Sequence, residues 1–267
     1  MPEINRFAVV SAVIMLAFAL TQLISFPARL LSFVVLGIQL NFTLDFNTVI
    51  TLLTAALSAI GMDWLLLSHP DRDQYQSRWS FVRHWIMPVL TSLVIGIALN
   101  TFAGEPLWWV VFLLGSLLLM AVLVAEYNVV PSEDIRHPLA RIGLTALSFA
   151  LFLLLSIALY SADLRLYLRL PILGVGALMV ISRSIYLRVG RWEVLWSFAN
   201  SLILAEIAVG FHYLPIPPIQ IGLYLVGIAY GLTSIVTAIK EGRERWAFWG
   251  EPIVMIALVV LISLIWI

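Results

Sequence analysis

The stretch IQLNFTLDFN, residues 38–47, alternates apolar and polar side chains without a miss, the pattern of a half-buried strand. Its surroundings are of another kind. The 267-residue chain is 62% hydrophobic and 11% charged, with mean hydropathy +1.04, which places it with polytopic membrane proteins and outside the soluble globular range. How a strand pattern can sit among membrane spans decides the fold.

A span needs about 20 mostly apolar residues. On that measure the chain offers nine: 7–25, 47–67, 83–103, 106–127, 139–160, 171–188, 192–213, 217–239 and 248–267. Turn-forming and polar stretches separate them, including HPDRDQYQSR, NTFAGEP, VPSEDIRHP, YLPIPP and KEGRER. No small-residue cleavage site follows the first apolar segment, so it is expected to stay as an anchor.

Short loops rich in Lys and Arg remain cytoplasmic. With the N-terminus inside, twelve of the fifteen basic residues fall on one side, and only Arg29, Arg165 and Arg169 fall on the other. NTFAGEP and YLPIPP contain no base and are expected outside, as is the C-terminus. The expected location is the cell (inner) membrane. A rival reading turns residues 28–43 into a short span of its own, giving ten helices, and leaves the charge tally unchanged.

DLRLYLRL, residues 163–170, repeats the alternation. It falls on the same outer side in the nine-span reading and carries two arginines opposite the polar face of residues 38–47. The expected fold class is therefore an all-α polytopic helix bundle with a small extracytoplasmic β-sheet of residues 30–46 and 163–170. Water at the interface can satisfy a sheet edge that hydrocarbon cannot. An ion pair of Asp45 with Arg165 or Arg169 is expected to hold it.

The whole chain is expected to form one integral membrane domain. SRWSFVRHWIMP, DIRHPLARIG, GRWEVLWSFA and ERWAFWGEPI recur about every sixty residues, which fits either duplicated hairpins or the shared preference of Trp and Arg for the interface. Gly227 and Gly231 form a GxxxG pattern suited to close helix packing.

Ionisable groups at membrane depth are costly and mark candidate sites. Glu206, in the seventh span, is the deepest, and its face, flanked by Ala199 and Gly210, is expected to meet other helices as a proton-coupling or cation-binding carboxylate, or as a structural hydrogen-bonded acid. Asn200 lies near the midplane on a different face. At the cytoplasmic boundary Asp63, His69, Asp71, Asp73, Glu126, Glu133, Asp134 and His137 gather with Arg183, Arg188, Glu241 and Glu251. Such a set suits a phosphate or a divalent ion, or a solvated set of salt bridges. Asp63, Glu126 and Arg183 join Glu206 and Asn200 as binding or transport candidates.

Several classes are disfavoured. There is no cysteine, so disulfides and thiolate metal sites are absent. The four histidines show no i, i+4 pairing, the only lysine is Lys240 at a helix end, and no metal or phosphate-loop motif occurs, so no cofactor is expected. Zero formal charge leaves no nucleic-acid footprint.

GMDWLLLSHP, with Gly61, Asp63, Trp64, His69 and Pro70, together with the alternating segment before it, resembles an uncharacterised family of bacterial polytopic membrane proteins grouped as a domain of unknown function. The resemblance implies no activity, cofactor or site residue. Three functions stay open: binding or transport of a small or amphiphilic molecule, an accessory subunit of a membrane complex, and a lipid-modifying enzyme. The partners expected are membrane lipids, other membrane subunits or a small-molecule ligand.

Overall fold

The computed structural model describes residues 3–24, 27–35, 38–69, 82–129, 136–162, 164–242 and 245–265. Asp71, Asp73, Glu133, Asp134 and Asp163 lie outside that set, as does the side chain of His137. Among the described residues the chain forms nine helices: α1 (Ile4–Leu23), α2 (Phe46–Leu66), α3 (Val82–Thr101), α4 (Leu107–Asn128), α5 (Arg136–Ser161), α6 (Leu166–Val189), α7 (Val194–His212), α8 (Pro218–Glu241) and α9 (Arg245–Ile265). Eight of them are long and apolar enough to cross a membrane; in α9 the apolar stretch so identified, Trp249–Val259, is shorter. The chain is a multi-pass membrane protein.

The ends of the helices follow local chemistry. Asp45 caps α2 by accepting the Thr48 N–H at 2.8 Å. Gly190 and Gly242 close α6 and α8 in the left-handed conformation, at φ 77° and 67°, which glycine adopts without a side-chain penalty.

Between α1 and α2 the chain is extended. Arg29–Val35 (β1) and Ile38–Leu44 (β2) pair antiparallel as a ribbon, Arg29 opposite Leu44 and Val35 opposite Ile38. A helical span over 28–43 is thereby overturned, and the ten-helix reading with it.

The expected extracytoplasmic sheet is overturned too. Residues 166–170 are the opening of α6, and among the described residues no third strand joins the ribbon. A lone two-stranded ribbon is marginal in water, so it is no substitute for a sheet packed on the helix ends. The fold class is a helical bundle. The reason lies in period: Arg169, Leu173, Gly176, Ala177 and Val180 are buried at helical spacing, so the leucine and arginine alternation is the first stretch of a helical stripe. The helix also begins five residues ahead of Pro171, which does not start the span.

Two compact units result, residues 1–132 and 133–267. In the first, α2 packs on α1 and α3, and α4 closes the group against α3. Ile14, Met62, Leu65, Leu99, Leu119 and Leu123 form its core. Gly96 allows α2 and α3 to approach, since a Cβ there would sit 2.4 Å from the Thr51 side chain. In the second unit α8 is central, touching α5, α6, α7 and α9. Gly227 of its GxxxG pattern faces Val259 of α9, where a Cβ would meet the valine at 2.9 Å.

Candidate functional site

The polar chemistry of the second unit concentrates at one end, where α5 begins, α6 and α8 finish and α9 starts. Four helices there frame a cleft of about 620 Å³. Arg141, Arg188 and Glu241 line it near the helix ends, and Phe149, Tyr230 and Met255 line it deeper. At 1.5 Å per residue, Phe149 lies about 12 Å further along α5 than Arg141, and Tyr230 about 17 Å in from Glu241 along α8. A polar rim thus stands over an apolar floor.

The two arginines are held differently. Arg188 donates through both terminal nitrogens to Glu251 Oε2, at 3.2 and 3.1 Å, and through Nη1 to Thr237 Oγ1 at 3.1 Å. Ser234 adds a hydroxyl to the same carboxylate oxygen at 2.7 Å, so α6, α8 and α9 meet at Glu251. Arg141 uses a single terminal nitrogen, Nη2, to donate to the carbonyls of Leu187 and Arg188, which finish α6. Its other terminal nitrogen and Nε have no acceptor among the described residues. A guanidinium carries five N–H donors in a fixed fork, so about three remain for a ligand at the cleft. No carboxylate pairs with Arg141 among the described residues. Tyr230 lies between the cleft and a neighbouring one of about 330 Å³ that it also lines, together with Glu251 and Met255.

The sequence-derived candidates are dispersed. Arg183 is fully buried in α6, its guanidinium 5.5 Å from the Tyr186 ring centroid, away from the residues that line the cleft. Asn200 is buried and donates to the Leu232 carbonyl of α8 at 3.4 Å, a helix-to-helix tie. Glu206 is exposed on α7 beside the exposed Leu202 and Ile203 and lines none of the clefts described, correcting the expectation that its face meets other helices. Asp63 is half-buried in the last turns of α2.

Asp45 caps its own helix, Arg165 stands at the start of α6, and Arg169 is buried. Arg169 donates to His212 Nδ1 at 2.8 Å and to the Ala162 carbonyl at 3.2 Å, over the Tyr160 ring at 4.6 Å. Asp45 and Arg169 therefore have local partners of their own, and Arg165 makes no side-chain cap on α6.

The first unit holds a pair that the sequence did not suggest. His84 Nδ1 lies 2.8 Å from Glu126 Oε2, and the two side chains are 1% and 0% exposed. Arg83 Nε donates to His84 Nε2 at 3.2 Å, which leaves Nδ1 to carry the proton toward Glu126. His69 packs on Tyr127 with ring centroids 4.6 Å apart. The only signal available was placement: His84 opens one span and Glu126 closes the next, so an antiparallel pair of helices brings both to the same level. Among the described residues no three His, Asp or Glu side chains gather as a metal site.

The family model described as "Protein of unknown function (DUF5656)" matches residues 26–267. The chain belongs to this family. The match extends the resemblance seen at residues 61–70 across nearly the whole DUF5656 chain, and the description names no activity. No curated protein and no solved structure matches it.

Proposed function

We propose that this DUF5656 protein binds an amphiphilic molecule with an anionic head group in the cleft of its second unit. The observation that carries the reading is Arg141: a cation at the cleft rim whose remaining donors have no protein acceptor among the described residues, above a floor of Phe149, Tyr230 and Met255. A guanidinium fork matches phosphate and carboxylate geometry, and the apolar floor suits a hydrocarbon tail. By the distribution of basic residues this end is the cytoplasmic one. Binding is favoured over transport because Glu206, the residue a transport path would use, is away from the cleft lining.

The test is native purification in lipid nanodiscs, with identification of copurifying molecules by mass spectrometry. Wild-type protein is expected to retain an anionic amphiphile. Ala146→Phe, which fills the cleft, and Arg141→Ala, which removes the cation, are expected to deplete it about tenfold, the loss of one charge-assisted contact. Equal retention by wild type and both variants overturns the reading.

A further inference from the structure

Two rings close the floor of the cleft. Phe149 of α5 and Tyr230 of α8 meet edge to face, with centroids 5.3 Å apart and planes at 68°. The Phe149 side is buried, and the Arg188 guanidinium stands 5.9 Å from the Tyr230 ring centroid. Arg188 is itself fixed by Glu251 and Thr237, so α5, α6 and α8 together hold the pair in place. Beyond it the apolar space continues. The neighbouring cleft of about 330 Å³ shares Tyr230 and Met255 with the first and runs on past Val254 and Leu258. The rings are thus a partition within a longer space.

This partition stands at a defined depth. Phe149 lies about 12 Å further along α5 than Arg141. An extended hydrocarbon chain rises roughly 1.3 Å per carbon, given bonds of about 1.5 Å, so a tail that starts at Arg141 meets the rings after about nine carbons. The chains of one bilayer leaflet fill about half of a 30 Å core, or about 15 Å, and need more room than that. A longer tail must part the rings, which forfeits their edge-to-face contact, or turn aside into lipid.

We infer that the Phe149 and Tyr230 pair is a ruler that limits the tail of the bound amphiphile to about eight to ten carbons. The ligand class is then a medium-chain amphiphile and not a long-chain bilayer lipid. The inference rests on the cleft being the binding site proposed above, with the anionic head at Arg141.

The test uses a series of n-alkyl phosphates, hexyl to hexadecyl, each at the same mole fraction in nanodiscs carrying the full chain, with occupancy read by native mass spectrometry. Wild type is expected to hold octyl to decyl phosphate best and tetradecyl phosphate about two- to tenfold less, the loss of one aromatic pair contact. Tyr230→Ala, which joins the two clefts, is expected to hold tetradecyl phosphate as well as decyl phosphate. Adding Leu258→Trp refills the space behind and is expected to restore the wild-type limit, which a merely structural role for Tyr230 would not give. Phe149→Leu removes the same ring pair from the other helix and serves if the tyrosine variant does not fold. Arg141→Ala is expected to lower occupancy at every length and leave the limit where it was. Arg141-dependent binding with no fall at tetradecyl phosphate in wild type, or one limit shared by wild type, Tyr230→Ala and Phe149→Leu, overturns the ruler and leaves the cleft as the binding site. No binding at any length, or binding untouched by Arg141→Ala, overturns both.

Discussion

His84 and Glu126 join the first turn of α3 to the last turn of α4 through a 2.8 Å contact between side chains that water does not reach. Removing one side chain takes this bond from the other. Glu126→Ala is expected to destabilise the first unit by about 1–3 kcal/mol, the usual cost of leaving a buried polar group without its bond. Glu126→Gln, which still accepts from Nδ1, should cost less. Thermal unfolding in detergent reads both, and equal melting of Glu126→Ala and wild type would show that the contact contributes nothing.

Gly96 is a place where α3 comes close to α2. A side chain there would enter the space of Thr51, about one turn along α3 from Ser92, whose buried hydroxyl pairs with that of Ser58. Gly96→Val is expected to lower stability by about 1–3 kcal/mol through overpacking. Gly143→Ala, at a helical position with nothing within 4 Å, serves as the control and should be neutral or better.

At the start of α7, Glu193 accepts from Lys240 at 2.8 Å and from Arg191 at 3.0 Å. The Lys240 hydrogen bond, opposed in part by desolvation and aided by the charges of Lys240 and Arg191, holds the carboxyl below its ordinary value of 4.5. A lowered native value means that the ionised form is favoured on folding. The contribution is complete above the unfolded value and is lost as pH falls through the native one. The melting difference between wild type and Glu193→Gln is thus expected to be present at neutral pH and to close in acid. A difference that widens in acid would reverse the assigned sign.

Tyr160 ties α5 to α7 by donating to the Ala208 carbonyl at 2.6 Å, with its ring beneath Arg169. Tyr160→Phe is expected to cost about 1 kcal/mol, one hydrogen bond. Arg169 has no carboxylate among the described residues, so its burial is not expected to add to stability. Arg169→Met should fall within about 1 kcal/mol of wild type, because well-packed apolar replacements of buried charge are often neutral. A larger loss in denaturation would assign the guanidinium a structural role.

The sequence by itself determined the helices, their order and the membrane class. A run of about twenty apolar residues has one way to satisfy its backbone in hydrocarbon, and the expected spans agree with α1–α9 to within a few residues at most ends. The clearest departure is α6, where Pro171 and a leucine–arginine alternation masked a helix that had already begun. The grouping of Arg188, Glu241 and Glu251 at one end of the second unit was legible in part, because charged residues at helix ends collect at one boundary. What only the tertiary structure decided is which face of each helix turns inward. Glu206 looked like an interior acid and lies outside; Arg169 looked like a surface cation and lies inside. The physical reason is contrast: a soluble helix is apolar on its buried side only, whereas a span is apolar on the lipid side and the core side alike. Periodicity then cannot tell the two apart, and only the packing of neighbouring helices does.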